Sequence, residues 1–378
     1  MMPELQFANA EVITADAVFR GGVTVADGRI VAISDGGAVP PGAIDLGGDY
    51  LGPGLVEIHT DNVEKQMVPR PGVIWPAPLA AMLSHDAQMT AAGVTTVYDA
   101  LSVGEYRDKA YRRDLLDSVM SSVALARAEN LFRADHRVHL RCEIADVSVI
   151  ELFRPYADDA NVGMISVMDH TPGQRQWRDL KSFKTFQNSN LSDAEFEAYV
   201  AERIAASNTN TTAVRRTVLD LWGGRGPVAS HDDTTEAHVA EAIADGIAIS
   251  EFPTTMLAAE AAKAAGMTTV MGAPNVVRGG SHSGNVSALE LASAGLLDAL
   301  SSDYAPISLV HAVFALEAKA GLTLPQAMAT VSANPAAMLG LTDRGAIAVG
   351  LRADLVQMRK ADDCAFVRRA WVEGERVA

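Results

Sequence analysis

The chain opens with short alternating stretches of apolar and polar residues. "FANAEVITADAVFRGGVTVADGRIVAIS" is rich in β-branched residues and is broken by turn pairs at Gly21-Gly22 and Asp27-Gly28. That pattern predicts short antiparallel strands. "GAIAVGLRADLVQMRKADDCAFVRRAWVEGERV", near the other end, has the same texture, with a turn near Glu373-Gly374. Between them the period lengthens. Ala-rich helical runs pass into a glycine and then into a β-branched apolar stretch, as in "HVAEAIADGIAIS" and "MLAAEAAKAAGMTTVMGAPN". A glycine there suits the left-handed residue that ends a helix. Repeated helix–Gly–strand units imply parallel strands joined by crossover helices.

The candidate strands are "LVEIHTD", "TTVYDALS", "RVHLRCEIA", "GMISVMDH", "GPVASHDD", "IAISEFP", "TTVMGAPN" and "DALSSDY". This count predicts an α/β fold, a (β/α)8 barrel of TIM type, with a small β-domain built from both chain termini. A doubly wound sheet is the rival, but no glycine-rich dinucleotide loop follows the first strand. The division expected is residues 1–52 plus 343–378 for the small β-domain and 53–342 for the barrel. The polar stretch 175–210 is long enough for a lid. Within it, "LSDAEFEAYVAERI" reads as a helix capped by Ser192 or Asp193.

Composition narrows the class. With 378 residues, 48% of them hydrophobic, the chain can bury a large core. Neither a membrane-length apolar run nor a basic segment leading a greasy one is present, so no membrane span or signal peptide is expected. Cys142 and Cys364 make no disulfide framework and fit a reducing cytoplasm. A net charge of −16 argues against nucleic acid as a partner. It also means that an anionic substrate needs a local cluster of cations or metal.

In a barrel of this kind the C-terminal strand ends build the active site. Here many end in a metal-capable residue: Asp61, Asp99, His170, His231 and Asp303. Side chains alternate along a strand, so Glu57, His59 and Asp61 share a face. An imidazole and a carboxylate so close suit a divalent cation such as Zn²⁺. In "HRVHLRCEIAD", His139, Arg141 and Glu143 share one face, leaving Cys142 to pack outward. A buried Glu143 needs a cation, so it is a candidate ligand or bridge, with an ion pair to Arg141 as the other reading. Asp303 is placed to hold metal and to take a proton from water. His85, His238 and His311 fall in helical patterns and read as surface or packing residues. His136 reads as lying at the far end of a strand. "NVVRGGSHSGNVS" offers backbone amides, Ser281, Ser283, Asn285, His282 and Arg278 to an anion. Arg70 and Arg175, in polar loops after other strands, are further phosphate-binding candidates, and His282 is a second candidate for the proton.

The start "PGLVEIHTD", the late "SSDY" and the ending "GAIAVGLRADLV" resemble the amidohydrolase superfamily. More narrowly, "HTDNVEKQMVPRPGVIWP", "HTPGQRQ", "SHDDTT", "EFPTT" and "MGAPNVVRGGSHSGN" resemble the PhnM-type triphosphate hydrolases of bacterial phosphonate degradation. The resemblance implies hydrolysis of α-D-ribose 1-methylphosphonate 5-triphosphate to the 5-phosphate and pyrophosphate by a cytoplasmic, metal-dependent barrel. It places the metal on His59, Asp61, Glu143, His170, His231 and Asp303, with one or two ions, Zn²⁺ by donor type. The same metal set would serve an amidohydrolase cleaving a C–N bond. Neither a nucleic acid nor a membrane is expected as a partner, and a homo-oligomer is compatible with the sequence.

Overall fold

The computed structural model describes residues 4–104, 111–186, 191–281 and 284–378. Two sheets divide the chain. One is made by the two termini. Leu5–Ile13, Val18–Ala26 and Arg29–Asp35 form an antiparallel meander. Tyr50–Pro53 joins it parallel to Leu5–Ile13 and pairs antiparallel with Leu355–Ala361, which leads to Cys364–Val372. The junction of the two ends is pinned by Asp49, whose carboxylate accepts from Gln357 and Arg359 (both 2.6 Å) and from Arg368 (3.2 Å). Phe7 meets Trp371 edge-on inside this sheet, at 4.8 Å between ring centroids.

The other sheet is parallel and holds the eight expected strands in sequence order. They are Leu55–Thr60, Val94–Val103, Asp135–Glu143, Val162–Met168, Val228–His231, Ile249–Glu251, Thr268–Gly272 and Ala299–Ser301. The eighth returns to the first. Asp303 donates its amide to the His59 carbonyl (3.1 Å), and Asp61 donates to the Asp303 carbonyl (2.8 Å). Glu57, fully buried, clasps the same seam by accepting from the amides of His59 and Ser302, each at 2.7 Å. Burial outweighs those bonds and raises its pKa to about 7. The closed sheet rules out the doubly wound rival. Val56, Ile58, Tyr98, Met164, Ala229, Ile249, Val270 and Ala299, from every strand but the third, pack together in one apolar cluster. Cys142 points outward into the helical layer, as alternation requires.

Between the fourth and fifth strands the described residues form helices, not a further strand. Asp193–Trp222 is the longest. Ser192 caps it, accepting from the Glu195 amide while Glu195 returns a carboxylate to the Ser192 amide, so two orphan donors are satisfied reciprocally.

One reading narrows and another changes. His85, on Pro78–Ala91, is a buried packing residue, and Asp99 lies inside the second strand rather than at its end. His85 Nε2 and His136 Nδ1 each bond one oxygen of Asp99, at 2.6 and 2.8 Å. His136 Nε2 lies 3.3 Å from Asp86, which also accepts the amides of Arg133 and Ala134. The strand continues well past Asp99, so alternation aims that carboxylate at helix packing, not the barrel mouth. All four groups are fully buried.

Burial opposes a charge on His136, but Asp99 and Asp86 outweigh it and raise its pKa from 6.5 to about 9. A raised folded-state pKa stabilises the fold fully below pH 6.5, and that contribution is lost as the pH climbs through about 9. Thermal unfolding should therefore show the wild type losing its advantage over His136→Asn across that window. A pH-independent difference between the two melting curves would mean that His136 carries no charge in the fold.

Candidate metal centre

Three histidines converge at the C-terminal mouth of the barrel, and each is oriented by a buried carboxylate. Glu251, on the sixth strand, accepts from His59 Nδ1 (2.7 Å) with one oxygen and from His231 Nδ1 (2.8 Å) with the other. Glu143 holds His170 in the same way, at 2.6 Å to Nδ1, and its second oxygen accepts the His170 amide at 3.0 Å. An imidazole that donates from Nδ1 keeps Nε2 as a lone-pair donor, the arrangement of a metal-binding histidine with its supporting carboxylate.

The three Nε2 atoms meet further carboxylates. Asp232 Oδ2 lies 3.6 Å from both His170 Nε2 and His231 Nε2. It is buried with no hydrogen-bond partner among the described residues. Two ligands ~2.1 Å from one ion at a tetrahedral angle sit roughly 3.4 Å apart, so this spacing suits one shared cation. A buried carboxylate oxygen lacking any bond is costly without one. His59, Asp61 and Asp303 form a second group of convergent ligand atoms.

Backbone strain marks the same positions. Asp232, Phe252 and Asp303 each follow a strand end in the left-handed region, at φ of 55°, 56° and 52°. Such conformations are uncommon for residues other than glycine, and cluster where a side chain must be re-aimed. The electrostatics are tightly coupled. Burial would raise the pKa of Glu251, but the neighbouring His59 imidazole and the hydrogen bonds from His231 and His59 pull it well below the carboxylate range. Burial opposes a charged His170, yet the Glu143 and Asp232 carboxylates on either side of the ring outweigh it, so positive charge is favoured at this point. His139 goes the other way: burial dominates and lowers it to about 3, so it stays neutral while it bonds the Ile58 carbonyl.

Above these groups opens a cavity of about 630 Å³. His59, Asp61, Glu143, His170, His231 and Asp303 all line it, together with Arg278, Ser281 and Asn285 from the loop expected to hold an anion. His282 and Ser283 lie outside the described residues. Three expectations change. Glu143 has both oxygens engaged by His170, so it is placed to orient that imidazole and not to bridge two ions. Arg175 is buried and turned away, donating to Asp233 and to the His231 carbonyl, both at 2.8 Å. Its own backbone lies in the left-handed region, at φ 48°. Arg70 is exposed in a tight turn closed onto Val73 and is not on the wall. The sequence reading missed Asp232, Glu251 and the wall arginine Arg112, and took Arg141 only as a partner for Glu143. The "HDD" and "SEF" strand ends were the available signals. From the lid segment, Trp177 and Phe183 reach the cavity.

Comparison with known proteins gives three findings. A family model described as the amidohydrolase family matches residues 191–378. The chain is 43% identical over 374 residues to alpha-D-ribose 1-methylphosphonate 5-triphosphate diphosphatase of Escherichia coli (strain K12), covering 98% of this chain and 99% of that protein. Solved structures share the fold at low identity. The N-acetylglucosamine-6-phosphate deacetylase from Pasteurella multocida matches at a TM-score of 0.64 and 14% identity, over 99% of both chains. Molinate hydrolase matches at 0.67 and 15%, over 99% of this chain and 94% of that one.

The supporting role of Glu251 has a measurable consequence. Glu251→Gln keeps the shape but supplies one acceptor where two imidazoles donate. Affinity for a divalent ion should fall by about 10- to 100-fold, the usual cost of losing such a partner. Competition against a chelator reads this directly, and unchanged affinity would show that neither imidazole depends on Glu251.

Proposed function

The chain belongs to the amidohydrolase family, and from that premise we propose that it hydrolyses α-D-ribose 1-methylphosphonate 5-triphosphate to the 5-phosphate and pyrophosphate. The observation that carries this reading is the near-complete alignment with the Escherichia coli diphosphatase, joined to a cavity whose wall carries three arginines. In a protein of net charge −16, those arginines single out an anionic substrate.

A divalent ion fits the donor set of His170, His231 and Asp232, and we assign Zn²⁺ from the mix of imidazole and carboxylate. When bound, such an ion lowers the pKa of water to about 7 and polarises a phosphoryl oxygen. The protein's own groups do the rest. Asp303, held at the seam by backbone bonds to His59 and Asp61, takes the proton from the attacking water. Water adds to phosphorus at the linkage between the first and second phosphates. The bond to the bridging oxygen breaks, and pyrophosphate leaves with that electron pair. Arg278, with Ser281 and Asn285, holds the outer phosphates from the rim. Trp177 and Phe183 cover the cavity from the lid side and exclude water. The two free cysteines accord with a cytoplasmic enzyme. Among the described residues no helix is long and apolar enough to cross a membrane.

Two substitutions test the assignment with pyrophosphate release as the assay. Asp303→Asn should lower turnover by about 10²-fold or more while leaving the melting temperature near wild type. Arg278→Ala should cost about 2 kcal/mol in kcat/KM for the sugar triphosphate, the scale of a charged hydrogen bond. Hydrolysis of an uncharged amide or ester by the purified protein, with no release of pyrophosphate, would favour C–N or C–O bond chemistry instead.

A further inference from the structure

The two groups of ligand atoms at the barrel mouth are not equivalent. Asp232 Oδ2 faces His170 and His231 with no hydrogen bond of its own among the described residues. Asp61 is different. Its Oδ1, the oxygen 3.8 Å from His59 Nε2, also accepts a hydrogen bond from Arg141 Nη1 at 2.7 Å. A metal ion entering between His59, Asp61 and Asp303 would meet a guanidinium already bonded to the oxygen it needs.

Arg141 is held firmly in that place. It rises from the third strand, and its Nε also contacts Met168 Sδ at 3.4 Å. Burial opposes its charge, but Asp61, Glu251 and Asp303 more than restore it. These are the carboxylates that would otherwise call for a second ion. A guanidinium keeps its charge at any working pH and cannot dissociate. Its Nη2 has no hydrogen bond among the described residues, and the residue lines the cavity. Arg141 is therefore placed both to neutralise the acidic wall and to grip a phosphoryl oxygen.

We propose that the site binds one divalent ion, at His170, His231 and Asp232, and that the Arg141 guanidinium, locked to Asp61, is its second positive centre. This rests on the metal-dependent hydrolase reading above. It adds a stoichiometry and a role for a residue that the sequence reading took only as a partner for Glu143. Arg112, paired with Glu64 at 2.7 and 3.1 Å, stands further along the same wall and does not share Asp61.

Metal content tests the proposal without reference to turnover. Wild-type protein is equilibrated with excess Zn²⁺ or Mn²⁺, freed of unbound ion, and analysed for metal per chain. One ion is expected, and Mn²⁺-loaded protein should give the spin-resonance spectrum of an isolated ion. Asp232→Asn should lose that ion. Arg141→Met, which keeps the volume and removes the charge, should admit a second ion and show an exchange-coupled Mn²⁺ pair. Arg141→Lys should stay at one ion, which guards against a Met variant that fails to fold. Removal of the guanidinium should also lower kcat by about 10²-fold or more, as for loss of a charged donor in the transition state. Two ions in the wild type, or one ion in folded Arg141→Met, would overturn the proposal. Unchanged kcat in Arg141→Met would overturn the role in phosphoryl binding. Two ions with normal pyrophosphate release would leave the proposed reaction standing; one ion with no release would leave the stoichiometry and remove the reaction.

Discussion

The site depends on one buried carboxylate shared between two imidazoles. Glu251 is fully buried, and an isolated carboxylate in such a place is too costly to persist. It persists because His59 and His231, from strands on different sides of the barrel, each give it a proton donor. The same bonds settle the imidazoles. Each ring turns its Nδ1 to Glu251, so its Nε2 must face the mouth. Glu143 repeats the device for His170. Charge burial, ring orientation and tautomer are one constraint. A low-dielectric interior tolerates such a network only when its members are paired.

Barrel closure supplies the rest of the geometry. The bonds joining Asp303 to His59 and Asp61 are at once the seam of the sheet and the placement of three candidate site side chains. Glu57 reinforces that seam from one layer below. Any loosening of the eighth strand against the first would displace the proposed proton acceptor along with the fold. Strain in the left-handed residues after three strand ends is offset by this rigidity.

Charge is distributed by height. The floor is acidic and holds histidines; Arg141 sits among these carboxylates, and Arg278 stands exposed at the rim. An extended anion therefore meets cations along its length, while the surrounding surface of this acidic protein repels it. Substrate preference can thus reside in loops while the candidate metal-binding floor keeps the donor set of a general hydrolase.

The amino-acid sequence by itself determined the number, order and type of the barrel strands, because apolar periodicity and helix-ending glycines are local signals. It also determined that His59, Asp61, His170, His231 and Asp303 belong together, since in this fold strand ends share one mouth whatever their separation in the chain. What it left open had a common cause. Glu251 lies in a short apolar run, where alternation cannot say which neighbour receives a carboxylate. Asp232 should point away from His231 in a regular strand, and only its left-handed φ turns it back into the site. Arg175 is lost from the cavity by a similar local twist, and Glu143 becomes a support because His170 reaches it before any ion does. Arg141 is spaced to face Glu143 in its own strand, yet pairs with Asp61 from the first strand. Tertiary structure alone decided these partners, because they lie on different strands and meet only when the sheet closes.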